Sequence, residues 1–125
     1  MSVSQQIVNI NEYKLAASAD DYVAAISSLA ARTESDGEPG VLRYQFYVDR
    51  ASNTATAVIH YSDADAWVNH HRLAYQWPEM AALQATVELQ RITFLGPTSD
   101  DIDAMASGIT ADVVRGDELA AGFIR

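Results

Sequence analysis

The chain has 125 residues, 49% hydrophobic and 20% charged, which suits one compact domain with a packed core. Seventeen acidic against 8 basic residues give a net charge of −9 with Lys and Arg scattered singly, so neither nucleic acid nor an anionic membrane is an expected partner. The absence of cysteine removes disulfides, thiolate nucleophiles and Cys-ligated metal centres.

The opening MSVSQQIVNINEYK lacks the basic-then-apolar pattern of a secretory leader. No later apolar run approaches the roughly 20 residues that span a bilayer, and a cytoplasmic location is expected. Residues 5–16 alternate imperfectly and carry β-branched and aromatic types, which predicts a first strand. Ser18 followed by Asp21 resembles a capping box. Tyr22, Val23, Ile26, Leu29 and Ala30 then form one helical stripe that ends at Gly37 and the Glu38-Pro39-Gly40 turn.

Residues 41–50 are the clearest strand, with Leu42, Tyr44, Phe46 and Val48 on one face and Arg43, Gln45, Tyr47 and Asp49 on the other. A polar turn at 51–53 leads into a third strand over 54–61, completing a hairpin. Ser62 and Asp63 can cap a second helix carrying Ala66, Trp67 and His70, and Pro78 restarts it after a break. A fourth strand over 87–95 closes at Gly96-Pro97. Beyond it, Ser99 caps a short helix whose Ile102 and Met105 face the body, and residues 109–114 are a candidate extended segment. The apolar ending at Phe123 and Ile124 is expected to dock, and Arg115-Gly116-Asp117 to form a turn.

The order β-α-β-β-α-β is the ferredoxin-like, α+β arrangement, an antiparallel sheet with helices on one face. Residues 1–97 are expected to form this domain, with 98–125 an extension packed on it or on a partner subunit. The helix-free face of the sheet is too apolar to be left in water, so a second copy is the expected cover.

Histidine carries the chemistry on offer. His70 is a candidate base or hydrogen-bond partner for a substrate oxygen; the alternative is a surface or capping histidine. His71 lies about 100° around the helix from it, and no third histidine is near, so no metal site is expected. His60 points to the opposite face from Tyr61 and is either cavity-lining or a core residue. Trp67 and Trp77 are core or ligand-stacking residues. Tyr44, Tyr47, Tyr61 and Tyr75 offer hydroxyls, and Asn9 or Asn11 on the first strand can reach an oxygen. Arg43 and Arg91 sit within strands, as ion-pair halves or anchors for an anionic ligand. No glycine-rich phosphate loop is present.

The stretch Glu38-Pro39-Gly40-Val41-Leu42-Arg43-Tyr44 resembles the EPG-x-x-x-Y opening of strand two in antibiotic-biosynthesis-monooxygenase domains. Tyr61 matches that family's aromatic near the end of strand three, and His70 its helix histidine. The ending Ala121-Gly122-Phe123-Ile124-Arg125 is also similar to that of many small members. Ile59 departs from the pattern, standing where the family has Glu. The resemblance implies a dimeric α/β barrel with one cavity per subunit. It also implies oxidation of a small phenol, quinol or anthrone-like compound by O2 with no metal or flavin. His70 would be the catalytic group, with Tyr61, Trp67, Tyr44, Asn9, Trp77 and Arg43 binding substrate. A passive barrel for hydrophobic ligands, or a polyketide-type cyclase or isomerase, would use the same pocket. A haem-degrading relative would need an axial histidine beyond His71, and the chain has none there.

Overall fold

A computed structural model of the chain describes residues 3–125. After a short 3-10 turn the elements run β1 (Ile7–Leu15), α1 (Ala19–Asp36), β2 (Val41–Asp49), β3 (Thr54–Tyr61), α2 (Ala64–Ala74), α3 (Pro78–Gln84), β4 (Val87–Leu95), α4 (Asp100–Ala106) and β5 (Asp112–Gly116). The sheet order is β2-β3-β1-β4-β5. Its first four strands are antiparallel neighbours in the ferredoxin-like arrangement. β5 joins β4 in parallel, so the expected antiparallel sheet is in fact mixed.

Local chemistry fixes the ends of the elements. The Ser18 hydroxyl accepts from the Asp21 N–H at 3.0 Å, and Asp20 and Asp21 sit at the positive end of α1. The Asp63 carboxylate accepts from the Ala66 N–H at 2.9 Å and starts α2. The extended Trp77 and Pro78 in the first turn of α3 separate it from α2, as Pro cannot continue a helix. Gly40 lets α2 approach the sheet, since a Cβ there would collide with the Ala66 Cβ. Gly96 leaves β4 at φ 106, a conformation suited to glycine, where a Cβ would strike the Gln6 carbonyl.

The helices cover one sheet face, and two apolar clusters fill the space between. Ile7, Ile59, Tyr61, Trp67, Phe94 and Ile102 dominate one, under α2 and α4. Leu15, Tyr22, Ile26, Leu29, Trp77 and Leu83 dominate the other, under α1 and α3. Each large apolar side chain taken from water contributes about 1.5–3 kcal/mol. Arg32 clips α1 to α3, bonding Glu79 at 2.9 and 3.0 Å and lying 4.8 Å over the Trp77 ring.

Register sets which residues share a face. Phe94, Asn9, Ile59 and Tyr44 form one inward row across β4, β1, β3 and β2, and Ile92, Asn11, Ala57 and Phe46 form the next. Leu95, Val8, His60 and Arg43 make an outward row, followed by Thr93, Ile10, Val58 and Gln45.

Some expectations are corrected. A register shift between Val41 and Arg43 turns Leu42 outward, and it is 50% exposed instead of facing the helices. Of the two strand arginines, both exposed, Arg91 is the expected ion-pair half, 3.8 Å from Glu12, whereas Arg43 has no carboxylate partner among the described residues and bonds Gln45. Arg115 and Gly116 belong to β5 and form no turn. In the single chain Phe123 and Ile124 stand 74% and 60% exposed, and they border a surface recess with Val8, His60 and Leu95 of the outward sheet face.

Candidate functional site

A cavity of about 260 Å³ opens between the inward sheet face and α2, α3 and α4. That is slightly below the roughly 300–1,000 Å³ usual for ligand pockets, which fits a small flat molecule. β1 lends it Asn9, Asn11 and Tyr13, and β2 and β3 lend Tyr44, Phe46, Ile59 and Tyr61. Trp67, His70, His71 and Tyr75 come from α2 and its C-terminal cap, while Met105 and Ile109 come from the C-terminal extension. The walls are mainly apolar and aromatic, with few polar groups, as in sites that orient a hydrophobic ligand.

His70 is 2% exposed, and its Nδ1 has no hydrogen-bond partner. Its ring lies edge-on to Tyr44 at 5.4 Å and 5.8 Å from Tyr61. Burial, reinforced by the neighbouring His71, pushes its pKa down to about 3, so the imidazole is neutral at physiological pH. A neutral imidazole can accept or donate a proton. In these apolar surroundings, however, it takes up a proton at modest cost only when an anion forms beside it.

His71 stacks on Trp67 with ring centroids 3.8 Å apart. Its Nδ1 lies 2.7 Å from the Trp67 carbonyl. A carbonyl only accepts, so Nδ1 carries the hydrogen and Nε2 is left with its lone pair. Burial pushes the His71 pKa down to about 4, with the bond to Trp67 acting the other way.

Trp67 is itself fixed from the sheet, as its indole N–H donates to the Asn9 Oδ1 at 2.6 Å. The Asn9 Nδ2 donates to the Thr93 carbonyl at 3.5 Å, so this amide is occupied by the protein. Asn11 differs. Its Nδ2 donates to the Tyr13 hydroxyl at 2.9 Å, but its Oδ1 is buried without a partner. Burial pushes the Tyr13 phenol up to about 12 and raises those of Tyr44 and Tyr61, so all three hydroxyls stay protonated.

The structure thus brings His70, Tyr61, Trp67, Tyr44 and Asn9 to one cavity. It does not bring Trp77 and Arg43 there. Trp77 is buried in the α1–α3 cluster beneath Arg32, and Arg43 lies on the outward sheet face. His60 shares that outward face, and burial lowers its pKa, followed by the effect of Arg43. Tyr13 and His71 join the cavity as well: Tyr13 continues the inward alternation Ile7, Asn9, Asn11 of β1, a signal present in the sequence, and His71 enters as a wall residue and not as a metal ligand. Met105 and Ile109 enter through the packing of the extension. Among the described residues no cluster of three metal-ligating side chains occurs, and no helix is long and apolar enough to cross a membrane.

No protein-family model matches this chain, and no curated protein matches it. Solved structures do. MupZ from Pseudomonas fluorescens superposes with a TM-score of 0.70 at 18% identity, covering 100% of this chain and 93% of MupZ. SnoaB, a cofactor-independent oxygenase from Streptomyces nogalater, gives 0.58 at 17% identity, covering 76% of this chain and 95% of SnoaB. A candidate antibiotic biosynthesis monooxygenase from Caulobacter crescentus CB15 gives 0.56 at 18% identity, covering 77% and 92% of the two chains. The chain therefore has the α+β fold seen in antibiotic biosynthesis monooxygenase structures.

Proposed function

We propose that this chain is a homodimeric oxygenase that oxidises a small phenol, quinol or anthrone-like compound with O2 and needs no bound cofactor. One observation carries the reading: the neutral, buried imidazole of His70, with Nδ1 unpaired, in a small cavity walled by aromatic rings. A phenol or enol must lose a proton before it can pass an electron to oxygen. His70 takes that proton, and the resulting oxyanion sits beside the imidazolium and offsets the cost of charging it in an apolar site. For an anthrone-type CH2, one oxygen atom becomes the new carbonyl and the other leaves as water with the two hydrogens. The substrate supplies all the electrons. The likeness to SnoaB, a cofactor-independent oxygenase, supports the reading.

The dimer is argued from the outward sheet face. Val8, Ile10, Val58 and Leu95 form its centre, with Arg43, Gln45, Glu12 and Arg91 towards its margins. An apolar middle with a charged rim is the usual anatomy of a subunit interface.

The test is oxygen uptake by metal-stripped protein against anthrones, naphthols and quinols, with His70→Ala alongside. Uptake that needs the protein and falls at least about 100-fold in the variant is expected for loss of a general base. Equal uptake by both proteins would remove His70 from the chemistry. The low His70 pKa and the apolar Ile59 beside the cavity favour a second reading, a non-catalytic barrel that binds the same ligand class. Tight binding without oxygen uptake would select it; turnover without oxygen would indicate a cyclase or isomerase.

A further inference from the structure

We infer that Asn11 is the residue by which this cavity selects a ligand bearing a free hydroxyl group. The inference rests on the phenolic reading above and narrows it. Two side-chain polar atoms are buried without partners among the described residues, His70 Nδ1 and Asn11 Oδ1, and both residues line the same cavity. A buried polar atom left unpaired is costly, and native proteins rarely keep one without a use.

The two atoms differ in what they accept as a partner. An imidazole nitrogen can meet a donor or an acceptor, whereas an amide oxygen only accepts. The other half of the Asn11 amide is spent on Tyr13, which fixes the direction of the oxygen. The strand neighbours across from Asn11 are Ala57 and Ile92, whose side chains offer no donor. At Asn11 itself β1 is in regular register with both β3 and β4, and no backbone N–H of the described residues donates to its Oδ1. Although tyrosine hydroxyls line the same cavity, none donates to this oxygen, which leaves it open to a donor carried by the ligand.

The surroundings narrow that donor further. An ammonium would bring an unpaired charge among apolar walls, at heavy cost. A neutral hydroxyl on a flat ring fits better, since Tyr13, Phe46, Tyr44 and Trp67 provide aromatic surface for the ring. His70 Nδ1 then meets a second oxygen of the same molecule. The ligand class is a small aromatic with at least two oxygen functions, one of them a free hydroxyl.

Binding under anaerobic conditions tests this apart from any turnover, read by quenching of tryptophan fluorescence or by calorimetry. The probes are 1-naphthol, 1-methoxynaphthalene and 1-tetralone, which present a hydroxyl, a methyl ether and a carbonyl on similar frames. The wild-type chain should bind the naphthol about 10- to 100-fold more tightly than the ether, the effect of one buried hydrogen bond. Asn11→Leu should abolish that preference, and Asn11→Ala, which only truncates, should do the same if the leucine variant fails to fold. Equal affinities in the wild type, tighter binding of the tetralone, or a preference that survives both substitutions would overturn the role of Asn11 while leaving a phenol-binding cavity in place. Failure of the wild type to bind any probe would overturn both readings.

Discussion

Two buried histidines should make this protein sensitive to mild acid. His70 is held near pH 3 and His71 near pH 4 in the folded chain, both by burial, against 6.5 for a free histidine. Between about pH 6.5 and pH 4 the unfolded chain therefore binds more protons than the folded one, so stability rises with pH there and is lost as pH falls below 6.5. A fully titrating group contributes about 1.4 kcal/mol per pH unit. Lowering the pH from 7 to 5 should thus remove about 2 kcal/mol through His70 and up to about 4 kcal/mol through the pair. That is a large part of the roughly 5–15 kcal/mol that stabilises an ordinary domain. His60, whose pKa is also lowered, acts in the same direction from its half-buried place on the outer face. Urea unfolding at fixed chain concentration, followed by tryptophan fluorescence across this range, measures the effect above the range where most carboxylates titrate. Replacing His70 by Phe should roughly halve the slope. A stability that stays flat from pH 7 to 5, or a slope unchanged in the His70→Phe variant, would refute the argument that His70 is buried and neutral.

Trp67→Phe removes the indole N–H and leaves the Asn9 Oδ1 unpaired in a residue only 2% exposed. The cost should be about 1–3 kcal/mol, seen as a drop of roughly 1 M in the urea midpoint, and adding Asn9→Leu should recover part of it. A cost under about 0.5 kcal/mol would mean that the bond does not hold the indole. For the proposed dimer, Ile10→Lys places a charge at the centre of the outward face, between Val58 and Thr93. Light scattering should then report a monomer where the wild type is a dimer, with the helical circular dichroism unchanged; two species of equal mass would rule out this face as the interface.

The fold was legible in the sequence because its signals are local. Ser18, Asp63 and Ser99 all act as the expected helix caps, and Pro78 restarts the helix where its ring demands. β5 was harder to read, since Asp112–Gly116 is too short to show an alternation and gains its partner only when the extension returns to β4. The site was legible in part. His70, Trp67 and Tyr61 stood out as chemically capable residues near one helix, but spacing says nothing about which hydrogen bonds are already made inside the protein. Asn9 is a free amide in the sequence, and in the structure it is committed to Trp67. Arg43 and Trp77 also illustrate the gap. Alternation placed Arg43 opposite Tyr44 and so away from the helices, which is where it lies. The break before Pro78 suggested an opening at Trp77, but Arg32 and the α1–α3 cluster close over it.

What binds these observations together is that the cavity is expensive to keep. Asn9 holds Trp67, Trp67 holds His71 through its carbonyl, and His71 crowds His70 at 5.1 Å, so one chain of contacts runs from the central strand to the unpaired imidazole. Every link uses a polar group where an apolar one would pack without an unsatisfied atom or acid sensitivity. Leu or Phe at positions 11, 70 and 71 would stabilise a domain that had only to fold. Residues that break the local rules of stability without compensation in the protein itself are where compensation by a ligand is expected. The location supports the same reading. Helix α2 is set against the sheet by Gly40, and the unpaired atoms lie within the gap that this packing leaves, out of reach of bulk water. A ligand that pairs both atoms recovers their desolvation cost on binding, so affinity for it and the weakness of the empty chain in mild acid share one physical origin.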